Sequence, residues 1–210
     1  NVRRDSNTQF GGASTAFAGY GYRISPAWRA QVSHGTSFVA PSFNQLYWPN
    51  YGSPDLKPEQ GRNTDVGVTW SEGGHSVKLV HFDNRIRGYI TGSIKPENIP
   101  RSRIKGWTLG YSGQFMGWNL RADYDQLDPR NSLTGTLLPR RARHVTRLAL
   151  DKDLGAWTLG ASAQSVGKRY DDVKNTPEKL MGQYTTVDLY ASYRLDKDLS
   201  LSARIANLTD

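Results

Sequence analysis

Apolar and polar residues alternate one for one in segment after segment of this chain, and a period of two specifies half-buried β-strands. Trp28, Ala30 and Val32 alternate with Arg29, Gln31 and Ser33. Trp118, Leu120, Ala122 and Tyr124 alternate with Asn119, Arg121, Asp123 and Asp125. Trp157, Leu159, Ala161 and Ala163, then Val187, Leu189, Ala191 and Tyr193, repeat the pattern against polar partners. About ten such segments emerge, most near the ~9–11 residues that a tilted strand needs to cross a bilayer. One segment, 76–82, is ambiguous, because Val77 and Leu79 oppose Val80 and Phe82.

The connections between the strands also alternate. Short turns are expected at 25–26, 71–74, 114–117, 151–155 and 195–198, and long loops at 39–62, 83–101, 127–138 and 168–183. An up-and-down membrane barrel forces this order, with short turns on the periplasmic side and long loops outside. Trp28, Trp70, Trp118 and Trp157 each lie near a short turn on the apolar side of their strand, and Tyr22 and Tyr193 sit similarly. An indole at headgroup level buries its ring and keeps its N–H wet, so these six residues are the expected membrane-interface girdle.

Composition agrees once the period is taken into account. Hydrophobic residues are 37% of the chain and mean hydropathy is −0.64, with no run near the ~18–20 apolar residues of a helical span. A barrel strand needs an apolar residue only at every second position. No cysteine is present, which removes disulfides and thiolate metal sites. The net charge of +8 comes from basic residues scattered along the sequence rather than gathered in one run, which argues against nucleic acid.

Catalytic signals are few. His34, His75, His81 and His144 lie on separate strands or turns without metal-ligand spacing. Asp123 and Asp125 share a row with Arg121, which fits a neutralised interior network better than a pair of catalytic acids. Residues 171–178 have acidic spacing, but Lys174 sits where calcium would need oxygen ligands. No enzyme activity, cofactor or metal is expected.

The long loop at 39–62 carries Tyr47, Trp48 and Tyr51, too aromatic for a plain linker. Around it stand Phe38-Val39-Ala40-Pro41, Leu46-Tyr47 and Gly52-Ser53-Pro54-Asp55-Leu56-Lys57-Pro58-Glu59. These residues resemble the F-x-A-P, L-Y and G-N-P-x-L-x-P-E signature of TonB-dependent outer-membrane receptors. Arg4-Asp5 with Phe10-Gly11, Arg103-Ile104-Lys105-Gly106 and the terminal Asn207-Leu208-Thr209-Asp210 resemble further stretches of the same family. The resemblance thus covers nearly the whole chain and is closest to the branch that carries cobalamin.

The resemblance implies an all-β, antiparallel up-and-down transmembrane β-barrel in the outer membrane of a Gram-negative bacterium, here about ten strands of about 22. It implies that residues 1–210 are a C-terminal part of that barrel, without the plug domain and the closing strand. Its partners would be cobalamin or an iron chelate, outer-membrane lipid, and TonB through an N-terminal part. Leu137-Leu138-Pro139-Arg140-Arg141-Ala142 resembles the L-L-R-R-A stretch where a loop re-enters the barrel beside the ligand. Arg140 and Arg141, with Tyr47, Trp48 and Tyr51, are therefore the expected ligand-binding residues, and Pro139 leaves open which arginine points inward. A different class of reading is a complete ten-stranded barrel serving as an adhesin or rim protease, in which the first strand would pair with the last.

Overall fold

The computed structural model describes residues 1–92 and 95–209. Eleven antiparallel strands form one sheet in nearly unbroken sequence order. They are β1 (Val2–Asn7), β2 (Gly11–Arg23), β3 (Trp28–Val39), β4 (Glu59–Glu72), β5 (His75–Thr91), β6 (Glu97–Phe115), β7 (Trp118–Asn131), β8 (His144–Leu154), β9 (Trp157–Val166), β12 (Tyr184–Arg194) and β13 (Ser200–Ile205). A two-residue ribbon, β10 (Arg169–Tyr170) with β11 (Leu180–Met181), decorates the β9–β12 connection. One short α-helix, α1 (Phe43–Tyr47), lies in the β3–β4 loop. The sheet holds one strand more than the alternation suggests, because β1 pairs with β2 from residues that read as a polar lead-in.

Register runs without a slip from β2 to β13, so every second side chain shares a face across the sheet. On one face Trp28 meets Trp70, Trp70 meets Val77, and Val77 meets Tyr111. The same face continues through Ala122, Leu148, Ala163 and Val187. The ladder settles the ambiguous segment: Val77 and Leu79 join this apolar face, while Val80 and Phe82 turn to the other, where Phe82 lies over Gly106. Gly106 has no room for a Cβ, which would meet the Gln126 carbonyl oxygen. The opposite face is polar, and two hollows of about 440 Å³ lie on it, one lined by Arg121, Asp123, Arg147 and Asp188.

Among the described residues nothing is packed on the apolar face. Trp28, Val32, Val66, Leu109, Trp157 and Leu189 all stay exposed. Buried apolar side chains instead gather at the long-loop end, in one cluster of Leu46, Leu56 and Ile90 with Phe10, and another of Tyr89, Ile99 and Leu138. A sheet that leaves so continuous an apolar surface uncovered needs an apolar medium against it.

The short turns fall where the alternation breaks. Gly73 and Gly74 both have positive φ, as the tight primed hairpin turn between β4 and β5 requires. The long loops are shorter than the sequence suggests. Of the segment 83–101, β5 takes residues up to Thr91 and β6 those from Glu97 on. Ser93 and Ile94, at its tip, lie outside the described residues. Likewise β7 continues to Asn131. These extensions are mostly polar, and their few apolar residues, Ile86, Tyr89, Ile90 and Ile99, are buried or half-buried without following a period of two, which is why they read as loops. β1 and β13 stand at opposite edges of the sheet and do not pair with each other, so the described residues do not form the closed small barrel.

Candidate ligand-binding site

All the expected ligand-binding residues lie at the long-loop end. The β3–β4 loop is fixed onto the β5–β6 hairpin by a set of polar clamps. The Lys57 N–H donates to Asn98 Oδ1 (2.9 Å), and Asn98 Nδ2 returns a bond to the Lys57 carbonyl (2.9 Å). Ser53 Oγ donates to the Pro96 carbonyl (2.7 Å), and the Ile90 N–H donates to Glu59 Oε1 (2.8 Å). Within the loop, Ser42 and Gln45 cap α1 reciprocally, each side chain bonding the other's backbone N–H. Leu46 and Leu56 are buried beneath, and Gly52 passes so close to the Leu46 carbonyl that a Cβ would sit 2.6 Å from its oxygen. Leu46, Gly52 and Leu56 thus shape the loop from within.

What the loop presents is aromatic. Tyr47 packs its ring on Phe43 at 5.1 Å and accepts a hydrogen bond from Gln9 Nε2 (2.7 Å), which ties the β1–β2 hairpin to α1. Trp48 is 58% exposed, and Tyr51 leans inward with its hydroxyl 3.5 Å from the Gly92 carbonyl. Rigid amphipathic side chains of this kind offer contact area at little entropic cost.

The two arginines part company. Arg140 adopts φ +56°, and its Nε donates to Asp171 Oδ1 at 2.6 Å while its backbone N–H donates to the Tyr170 carbonyl. It therefore belongs to the β9–β12 connection. Arg141 turns to β5 instead, where its Nε donates to the Tyr89 hydroxyl (3.2 Å) and its guanidinium carbon lies 6.0 Å from the ring centroid. Pro139 and Leu138 are both buried immediately before them, which anchors the pair at the rim. Both guanidinium groups keep N–H donors free of these partners for a carboxylate, phosphate or amide.

The acidic stretch 171–178 holds its own loop together. Asp172 accepts from the Thr176 hydroxyl and N–H, and the first of these bonds holds its carboxyl below the ordinary range. Asn175, at φ +58°, bonds both the N–H and the carbonyl of Leu137, joining this loop to the β7–β8 loop. Asp125 is neutralised across strands by Arg147 (2.8 Å) rather than by Arg121. His34, His75, His81 and His144 all fall on the apolar face. His34 sits beside the Thr64 hydroxyl and the other three beside Tyr111, Trp107 and Tyr124.

At the short-turn end the six aromatic residues lie on the apolar face. Trp28 is the register partner of Trp70, Trp157 packs on Tyr193 at 4.7 Å, and Lys152 Nζ lies 5.4 Å from the Trp118 ring. Tyr22, the partner of Ala30, is more than half exposed. Tyr89 and Asn98 are the site residues that sequence reasoning passed over. The one available signal was Tyr89-Ile90, an apolar pair isolated in a polar stretch.

Comparison with known proteins places the chain among its relatives. A family model described as TonB dependent receptor-like, beta-barrel, matches residues 1–208. The vitamin B12 transporter BtuB of Photobacterium profundum is 32% identical over 221 aligned residues, covering all of this chain and 36% of that protein. The protein of the same description from Vibrio vulnificus is 31% identical, covering all of this chain and 35% of its own length. In structure, the ferric enterobactin receptor PfeA of Pseudomonas aeruginosa superposes with a TM-score of 0.77 at 20% identity, over all of this chain and 36% of that one. The chain thus spans about a third of the relatives it matches.

Proposed function

The chain belongs to the TonB-dependent receptor β-barrel family, and from that premise we propose that it forms part of the wall and ligand mouth of an outer-membrane receptor importing cobalamin or a related large chelate. The family is one of transporters and receptors of the Gram-negative outer membrane. The observation that carries the cobalamin reading is the match, along the whole chain, to two vitamin B12 transporters above 30% identity. In this reading residues 1–210 are a C-terminal part of the barrel. The plug, the contact with TonB and the remaining strands lie in other parts of the receptor.

On this reading each region of the sheet has a role. Trp28, Trp70, Trp118, Trp157, Tyr22 and Tyr193 form the girdle at the periplasmic interface, and the apolar face between the two ends meets lipid. The polar face with Arg121, Asp123 and Asp125 meets the water and plug of the lumen. At the outer end Tyr47, Trp48 and Tyr51 supply apolar contact, and Arg140 and Arg141 supply charge-assisted donors to the amides and phosphate of a corrinoid.

The test is equilibrium binding of cyanocobalamin to outer membranes carrying the full-length receptor, with a ferric siderophore as comparison ligand. Replacing both arginines (Arg140→Ala with Arg141→Ala) is expected to weaken cobalamin binding by roughly 1–3 kcal/mol, the range for charge-assisted hydrogen bonds. Unchanged affinity in the double variant refutes the arginine assignment. Binding of the siderophore but not of cobalamin by the unaltered receptor refutes the ligand.

A further inference from the structure

The register gathers basic residues that look scattered in the sequence. Above the apolar rows, on the same outward face, Asp83, Lys105 and Asp128 form one row. The next row is Thr36–Arg62–Arg85–Arg103–Arg130, and above it stand Gln60–Arg87–Arg101. Seven cations therefore face two carboxylates on one patch. Asp83 is held by Arg85 (3.1 Å) and Arg103 (2.7 Å), and Asp128 by Arg130 (2.7 Å). Among the described residues the side chains of Arg62, Arg87 and Arg101 make no ion pair. They line a hollow of about 760 Å³ together with Arg85, Arg103 and Phe38.

The height of the patch identifies its medium. Arg103 lies about twelve residues along β6 from Phe115, and Arg130 about twelve along β7 from Trp118. At ~3.3 Å per residue and a tilt of ~40°, that is about 30 Å above the short-turn aromatic ring. An outward apolar band is ~25 Å tall. Trp107, 48% exposed on the same face, lies below the arginine row and marks the band's upper margin. The arginines thus stand at the headgroup level of the leaflet on the long-loop side, pointing away from the lumen.

We propose that this patch binds the phosphate groups of the phosphorylated glycolipid of the outer leaflet, through guanidinium forks that match phosphate geometry. The proposal rests on the outer-membrane reading above but not on the identity of the transported ligand. The hollow seats a headgroup between β2 and β6, and the apolar rows beneath receive the acyl chains. A solvated rim of charge would carry both signs in similar number. Here the excess of cations needs anions from outside the chain.

The experiment uses the full-length receptor purified in mild detergent, with bisphosphorylated lipid A added and bound copies counted by native mass spectrometry. The unaltered receptor is expected to retain lipid A, and the triple variant R62Q/R87Q/R101Q to lose at least ten-fold in occupancy. Its R62K/R87K/R101K counterpart should keep an intermediate share, and K197Q, on the opposite end, should match the unaltered protein. Heat-modifiable migration on gels verifies that each variant is folded, and cobalamin binding in the same samples is read separately from lipid. Equal retention of lipid A by the glutamine variant, or equal capture of its dephosphorylated form, overturns the proposal. Equal capture of phosphatidylglycerol overturns the assignment to the glycolipid leaflet.

Discussion

Leu138 is the point at which the loops of the ligand mouth are most exposed to a single change. Its side chain is fully buried, packed against Tyr89 and Ile99 with Ile86, Ile104 and Val173 around it. Leu138→Ala removes three carbons, about 2.4 kcal/mol of transfer free energy at ~0.8 kcal/mol per methylene. Buried Pro139 on one side and the Leu138 N–H bond to the Pro129 carbonyl (3.0 Å) on the other restrain collapse of the cavity. The total cost therefore falls in the range of roughly 2–5 kcal/mol for such substitutions. The loss acts on local opening of the β7–β8 and β9–β12 connections, because the cluster touches β5 and β6 only from Ile86 and Ile104 outward and the ladders below those residues share none of its contacts. The amides of Leu137 and Leu138 report it directly, the first being bonded to Asn175 Oδ1 (2.6 Å). Their hydrogen exchange in the full-length receptor should accelerate by about thirty-fold to several-thousand-fold. Amides at the centres of β4, β5 and β6 should not change. A change below threefold at Leu137 and Leu138, or equal acceleration in the strands, refutes the view that this cluster holds the rim alone.

Two further outcomes follow from the same loops. Asp172 has a folded pKa below the ordinary carboxylate value, chiefly through the Thr176 hydroxyl. Its stabilisation of residues 171–179 is therefore present above the unfolded value of about 3.9 and is lost as pH falls through the lower folded value. Exchange of the Thr176 amide should rise only in that acid range, whereas Asp172→Asn should raise it at neutral pH and flatten the profile; a flat profile in the unaltered protein refutes the role. An antibody tag inserted between the exposed Pro54 and Asp55 should be accessible on intact cells, and accessibility only after permeabilisation would invert the membrane topology.

The electrostatics divide the molecule into three zones. The lumen face pairs its charges across strands, as in Arg147 with Asp125 and Arg204 with Asp188 (2.6 Å). Above Lys152 and the short-turn aromatics, the described outward face carries no Asp, Glu, Lys or Arg up to the level of Trp107, a span in which charge would be costly in lipid. Only above that level does a cationic excess stand, where water and headgroups can meet it. More than half of the +8 that argues against nucleic acid in the sequence is, in the fold, gathered at this rim.

The sequence by itself determined the strands and their class, because the side-chain period of a β-strand is local: Trp118 to Asp125 reads as a strand from eight residues alone. It also determined the positions of the short turns, the aromatic residues beside them, and the family, whose motifs are contiguous in the chain. Only the tertiary structure decided what depends on pairing. The face taken by Val77 against Val80 was settled by partners about thirty residues away on β6. The strand character of residues 83–91 and 97–101 was hidden because a ladder in water needs no apolar period. The split of Arg140 toward Asp171 and Arg141 toward Tyr89 depends on two separate loops meeting at the end of β5. The arginine patch is the plainest case, since Arg62, Arg85, Arg103 and Arg130 are spread over nearly seventy residues and become neighbours only through hydrogen bonds between four strands. Local periodicity fixes which side of its strand a residue takes, and only the register of the sheet fixes who stands beside it.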